Sequence, residues 1–161
     1  YQYEDVQPDA VIIGKALSGG FYPVSAFLAK EELMNVFKPG DHGSTFGGNP
    51  LGSAVAREAL KILSEDKLAE RAYEMGVYFR DKLNSINSGY IKEVRGKGML
   101  IGVELHEHAG GARRFCEALQ EEGLLCKETH DNVIRFAPPL VIKKEDLDWA
   151  FEKIKKVIES L

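Results

Sequence analysis

The chain has 161 residues, 44% of them hydrophobic and 29% charged, the balance of a globular protein with room for one domain and part of a second. The 21 Lys and Arg against 25 Asp and Glu leave a net charge of −4 with His neutral, and no basic run or stripe marks a nucleic-acid partner. No apolar stretch approaches the ~20 residues of a membrane span, so a membrane partner is not expected either.

The first residues, Tyr1 to Asp9, lack an initiating Met and fit neither a signal peptide nor a transit peptide. They read as the middle of a larger protein. Pro8-Asp9 signals a turn, and Ala10 to Gly14 is a short apolar run, as expected for a strand buried on both faces. Lys15 follows directly, and Ser18-Gly-Gly20 ends any regular element. Val24 to Ala29 reads as a second strand and Lys30 to Phe37 as a short helix. Lys38 to Asn49 is dense in Gly and small polar residues, so it is a loop. Asn49-Pro50 pairs an N-cap residue with proline at the first helical position. A helix is expected over Leu51 to Ser64, with Ser64 capping a further helix whose inward face is Leu68, Ala72, Met75, Phe79 and Leu83.

The period then shifts to two. Ile91 to Val94 and Met99 to Leu105 alternate like strands, with Arg95-Gly-Lys-Gly98 as the turn between them. Ala112 to Glu122 is helical. Leu124 to Lys127 and Val133 to Phe136 read as strands around a polar turn, and Lys143 to Leu161 as a closing amphipathic helix.

Three places could carry chemistry. Lys15 ends an apolar strand beside a glycine pair. Burying an ammonium is costly and favours the neutral amine that attacks an aldehyde, while the same position suits a lysine whose ammonium reaches solvent. The loop His42 to Asn49 offers the hydroxyls of Ser44 and Thr45, small-residue amides and a helix N-terminus, a combination suited to a phosphate or to simple capping. It lacks the GxxxxGK[ST] pattern of a P-loop. Arg135, inside an apolar strand, needs an anion, either a substrate carboxylate or a structural Asp or Glu. His106 and His108 would share a strand face without a third ligand, so no metal is expected. Cys116 and Cys126 form no CxxC pair; two reduced thiols in a cytosolic protein are expected, with a disulfide between them as the other reading.

In order along the chain, Gly14-Lys-Ala-Leu-Ser-Gly-Gly20, Tyr22-Pro-Val-Ser25, His42-Gly-Ser-Thr-Phe-Gly-Gly-Asn-Pro-Leu51, Val94-Arg-Gly-Lys-Gly-Met-Leu100 and Ile134-Arg-Phe-Ala-Pro-Pro-Leu-Val-Ile142 resemble the class III (subgroup II) aminotransferases. Lys127-Glu-Thr-His-Asp-Asn132 before Val133, and Phe136-Ala-Pro-Pro139 after Arg135, look most like the ornithine aminotransferases within that class.

The resemblance implies an α/β fold-type I architecture dependent on pyridoxal 5'-phosphate (PLP). Residues 1–49 would be the C-terminal part of the large PLP-binding domain, 50–85 interdomain helices, and 86–161 the small C-terminal α/β domain. It further implies Lys15 as the Schiff-base lysine and proton carrier, Ser44 and Thr45 as phosphate ligands across a homodimer interface, and Arg135 as a substrate carboxylate ligand. The implied reaction passes the δ-amino group of ornithine to 2-oxoglutarate. Acetylornithine, 4-aminobutyrate or another ω-amino acid is the alternative donor. In the family the Asp that pairs with the PLP ring nitrogen precedes the lysine segment, so the 161 residues alone are expected to be inactive. A non-catalytic dimerisation module is the reading of another class.

Overall fold

The computed structural model describes residues 1–161, which divide into two compact units, Tyr1–Asp66 and Lys67–Leu161. In the first unit the apolar runs pair with each other. Strand β1 (Ala10–Ile13) lies antiparallel to β2 (Ala26–Ala29), with Ala10 opposite Ala29 and Ile13 opposite Ala26. The strand expected to be buried on both faces is not: Ile12 is 80% exposed. A sheet of two strands has no second layer on either side, so its apolar positions stay open.

The helix expected over Lys30 to Phe37 is reduced to one turn, α1 (Glu31–Met34), which buries nothing. Helix α2 (Pro50–Glu65) begins where Asn49-Pro50 places it, and the Asn49 side chain accepts a hydrogen bond from the Gly52 N–H at 2.8 Å. Ser64 does not cap the next helix. It remains inside α2, and the break falls at Lys67, whose left-handed backbone (φ 50°) starts α3 (Leu68–Asn84).

The second unit is a four-stranded antiparallel sheet, order β3-β4-β6-β5, with one face covered by helices. Its strands are β3 (Ile91–Lys97), β4 (Leu100–Leu105), β5 (Lys127–Thr129) and β6 (Val133–Phe136). Helix α4 (Arg113–Glu121) connects the two halves and α5 (Lys144–Ser160) closes the chain. Burial alternates along β4, so Ile101, Val103 and Leu105 point into the core while Leu100, Gly102 and Glu104 point away. Phe79 and Leu83 from α3, Phe115 and Leu119 from α4, and Leu147, Ile154 and Ile158 from α5 complete that core.

Strand boundaries differ from expectation in three places, the first being β2, which starts at Ala26 rather than Val24. Arg95-Gly-Lys97 is the end of β3 rather than a turn, and the reversal occurs at Gly98-Met99. Gly96 lets the strand pass close to the Leu100 carbonyl, and Gly98 takes φ 54° at the turn. Leu124 to Cys126 stay outside β5, which starts at Lys127; the turn tightens to His130-Asp131, both left-handed.

Helix α3 approaches this turn so closely that a Cβ on Gly76 would overlap the Gly98 carbonyl. That neighbour is backbone and cannot swing aside. Gly76→Ala is therefore expected to destabilise the chain by roughly 2–3 kcal/mol, the cost of overpacking, read as a drop of about 4–12 °C in thermal unfolding.

The α4–α5 contact is polar at its edge. Glu122 accepts from Lys153 (2.8 Å) and Lys156 (2.5 Å), and these hydrogen bonds hold its carboxyl down to about 2. Because the folded value lies below the unfolded one, about 4.3, the unfolded chain binds more protons as pH falls. The contribution is complete above about pH 4.3 and is lost as pH drops through about 2. Asp148 and Glu104, lowered by Lys82 and by Lys92 with Arg95, act in the same direction. The thermal midpoint is expected to fall across this acid window, and to fall less steeply in Glu122→Gln.

Candidate functional site

Lys15 opens a 3-10 turn, Lys15–Ser18, directly after β1. Its backbone is left-handed (φ 51°), a conformation costly for a residue with a Cβ, and Gly14 before it is fully extended. The turn is held from below by Ser18, which is buried. Its hydroxyl donates to the Lys15 carbonyl at 3.5 Å and accepts from the Tyr22 N–H at 3.3 Å. Gly19, also left-handed, packs toward Ala59 of α2, and the Tyr22 ring lies over Gly52 of the same helix. The first turn of α2 thus backs the lysine turn.

Among these 161 residues the amine of Lys15 makes no hydrogen bond or ion pair, and the residue is exposed. An uncommitted primary amine on a strained, braced turn is suited to forming a bond with a carbonyl carbon.

Ser44 and Thr45 sit on the exposed loop before α2. The Ser44 hydroxyl accepts from the Gly47 N–H at 3.1 Å, and Asn49 Nδ2 donates to the Phe46 carbonyl at 2.9 Å, so the loop is internally tied. The Thr45 hydroxyl has no partner. No hydrogen bond joins Lys15 to Ser44 or Thr45. A free hydroxyl beside the N-terminus of a 16-residue helix can take a phosphate oxygen. An amine for an aldehyde and hydroxyls for a phosphate are part of the donor set that PLP requires, and to that extent these residues fit the group.

Arg135 lies in the second unit, on the sheet face away from the helices. It is exposed, not enclosed in apolar strand as its neighbours suggested, because the two-residue period turns it outward between buried Ile134 and Phe136. Arg95, Gly102, Arg135 and Lys127 are in register across the four strands. Arg95 is neutralised by Glu93 and Glu104, and Lys127 by Glu128. Arg135 has no protein anion, and Gly102 beside it has no side chain to fill the space.

His106 and His108 do not share a strand face. The strand ends at Leu105, the two rings stack 5.3 Å apart, and His108 Nε2 lies 3.1 Å from the Gly89 carbonyl. No group of three or more His, Cys, Asp or Glu side chains is placed to hold a metal ion, and no helix is long and apolar enough to cross a membrane. Ser18 and Tyr22 were not foreseen as supports. Only the glycines at 14, 19 and 20 hinted at unusual backbone.

The family model for aminotransferase class III matches residues 1–158. The chain is 60% identical over 157 residues to an ornithine aminotransferase of Halalkalibacterium halodurans and 59% identical over 158 residues to one of Bacillus subtilis, in each case 98% of this chain and 39% of the relative. It therefore spans about two fifths of the length of the curated relatives it matches. Among solved structures, the acetylornithine aminotransferase of Elizabethkingia anophelis superposes with a TM-score of 0.91 at 49% identity, over 99% of this chain and 43% of that one. The ornithine aminotransferase of Toxoplasma gondii ME49 gives 0.92 at 44% identity, over 99% and 38%. A further Toxoplasma gondii ornithine aminotransferase structure has partial PLP occupancy at its active site. With a family model matched along nearly its whole length and an α/β fold shared with these enzymes, the chain belongs to the class III aminotransferases, transferases of fold-type I.

Proposed function

We propose that these residues are the C-terminal portion of a PLP-dependent aminotransferase that passes the δ-amino group of ornithine to 2-oxoglutarate, giving glutamate semialdehyde and glutamate. The observation that carries the reading is the Lys15 turn: an uncommitted amine, braced by Ser18, inside the segment that matches the family. The identity to curated ornithine aminotransferases supports the donor. Residues 1–49 then complete a large cofactor domain, 50–85 bridge, and 86–161 form the small domain. The assembly is a cytoplasmic homodimer.

When bound, PLP supplies an electron sink for charge on the substrate carbon. Lys15 provides the covalent anchor for the cofactor's aldehyde carbon. Its amine, once free, moves the proton on and off the substrate carbon that bears the transferred nitrogen. Ser18 keeps the turn in register for both tasks. Thr45, with Ser44, hydrogen-bonds the phosphate in a neighbouring subunit, which accounts for an open loop with an unpartnered hydroxyl. Arg135 binds the carboxylate of glutamate or 2-oxoglutarate through its planar fork.

Borohydride reduction of the full-length protein with PLP, followed by peptide mapping, is expected to place the pyridoxyl label on Lys15. A label elsewhere, or none, overturns the reading and favours a non-catalytic module. The likeness to a solved acetylornithine aminotransferase makes that donor the second reading. A clear preference for N-acetylornithine over ornithine in donor profiling would replace the first. Arg135→Ala is expected to lower kcat/KM for 2-oxoglutarate about 10- to 100-fold, the loss of a charge-assisted pair. Arg135→Lys should recover part of it, measured on the half-reaction with the oxo acid.

A further inference from the structure

The two cysteines are ten positions apart in sequence and on different elements. Cys116 lies on the buried face of α4, and Cys126 is the half-buried residue just before β5, which packs on that helix. Both are free thiols, and each is close enough to the other to shift its titration. A cavity of about 210 Å³ opens onto both, walled also by Arg113, Gln120, Lys127 and Glu128. That is space for several water molecules, hence for the end of a small solute.

The charges around the pair make the two sulfurs unequal. The hydrogen bond from Cys126, aided by Arg113 and Lys127, draws the Cys116 thiol below its ordinary value. The same bond, together with burial and the nearby Glu128, pushes the Cys126 thiol up. Arg113 and Lys127 favour the anion at Cys116, while burial and Glu128 disfavour it at Cys126, so Cys116 is the better attacking thiol and Cys126 the resolving one.

We propose that Cys116 and Cys126 are an oxidisable dithiol, closed to an internal disulfide by small aliphatic disulfides that enter the cavity between α4 and β5. In the first step the Cys116 thiolate attacks one sulfur of R–S–S–R. The Cys116–S–R bond forms, the S–S bond breaks, and RS⁻ leaves and takes a proton. In the second, the Cys126 sulfur attacks Cys116 Sγ, displaces the remaining RS⁻ and passes it a proton. Two electrons move from the protein dithiol to the reagent, which departs as two RSH. The elements carrying the two thiols already pack together, so side-chain rotation alone has to bring the sulfurs to bonding distance. The product staples α4 to the edge strand in which Lys127 faces Arg135.

The test exploits cleavage sites in the sequence. Trypsin releases both cysteines in one peptide, Phe115 to Lys127, and cleavage after Glu117 separates them. The folded chain is incubated with 2-hydroxyethyl disulfide, quenched in acid, alkylated and digested. The expected peptide is lighter by two hydrogen atoms, carries no alkyl group, and stays joined after cleavage at Glu117 until reduced. In Cys126→Ser, Cys116 is expected to retain a single hydroxyethylthio adduct. Independent adducts on both cysteines of the unaltered chain, crosslinking between chains, or thiols that both remain open to alkylation would each overturn the proposal.

Discussion

If Lys15 has the role proposed above, replacing it by Ala in the full-length protein is expected to abolish amino-group transfer, lowering kcat/KM by at least about 10³-fold, because anchoring and proton transfer would be lost together. The fold should not register the change. The Lys15 side chain is exposed and makes no hydrogen bond, and the left-handed backbone is as strained for Ala as for Lys. The thermal midpoint is therefore expected to stay close to that of the parent, as for surface substitutions away from special contacts. Lys15→Arg separates charge from nucleophilicity. A guanidinium keeps the positive charge but does not deprotonate, so it supplies no neutral amine. Arg at position 15 should be as inactive as Ala, and neither variant should carry a borohydride-fixed label there. Activity retained by either would remove Lys15 from the mechanism.

Phe79→Ala is expected to destabilise the chain by about 3–5 kcal/mol, the usual cost of deleting a fully buried aromatic. Phe79 is only 2% exposed and meets Phe136 edge-on at 6.3 Å between ring centroids, tying α3 to β6. The ring leaves a cavity between a helix and a sheet that are held apart by other side chains, so collapse cannot fill it. Because β6 also carries Arg135, the loss should propagate to carboxylate binding in the full-length enzyme while the anchoring of PLP at Lys15 persists. Chemical denaturation with the midpoint followed by circular dichroism reads the first effect. A shift of less than about 1 kcal/mol would show that Phe79 is not a keystone of this core.

Helices α2, α3, α4 and α5 were legible because each is encoded locally, by an Asn-Pro start or by apolar residues at helical spacing. Their ends were less so: Ser64 has the chemistry of a cap, yet the break falls at Lys67, where the backbone turns left-handed. Strand β5 slipped by three residues because its register is set by pairing with β6 across the His130-Asp131 turn, which no local pattern specifies. The Arg95-Gly-Lys97 segment looked like a turn for the same reason. Its glycine serves a close backbone approach inside a strand, and only the partner strand reveals that.

The order of Lys15, Ser44-Thr45 and Arg135 along the chain was determined by sequence alone, and with it the family. Sequence could not determine what surrounds those side chains. Sequence left Lys15 open between a buried amine and one reaching solvent, and among these residues its side chain is exposed. Arg135 looked enclosed, but the pleat turns it outward onto a face where its neighbours are already neutralised. The cavity shared by Cys116 and Cys126 and the Gly76–Gly98 approach join residues whose separation in sequence carries no period at all. Side-chain chemistry is written residue by residue, whereas exposure, pairing and strain belong to the neighbours that folding brings in, and that is where the tertiary structure decided.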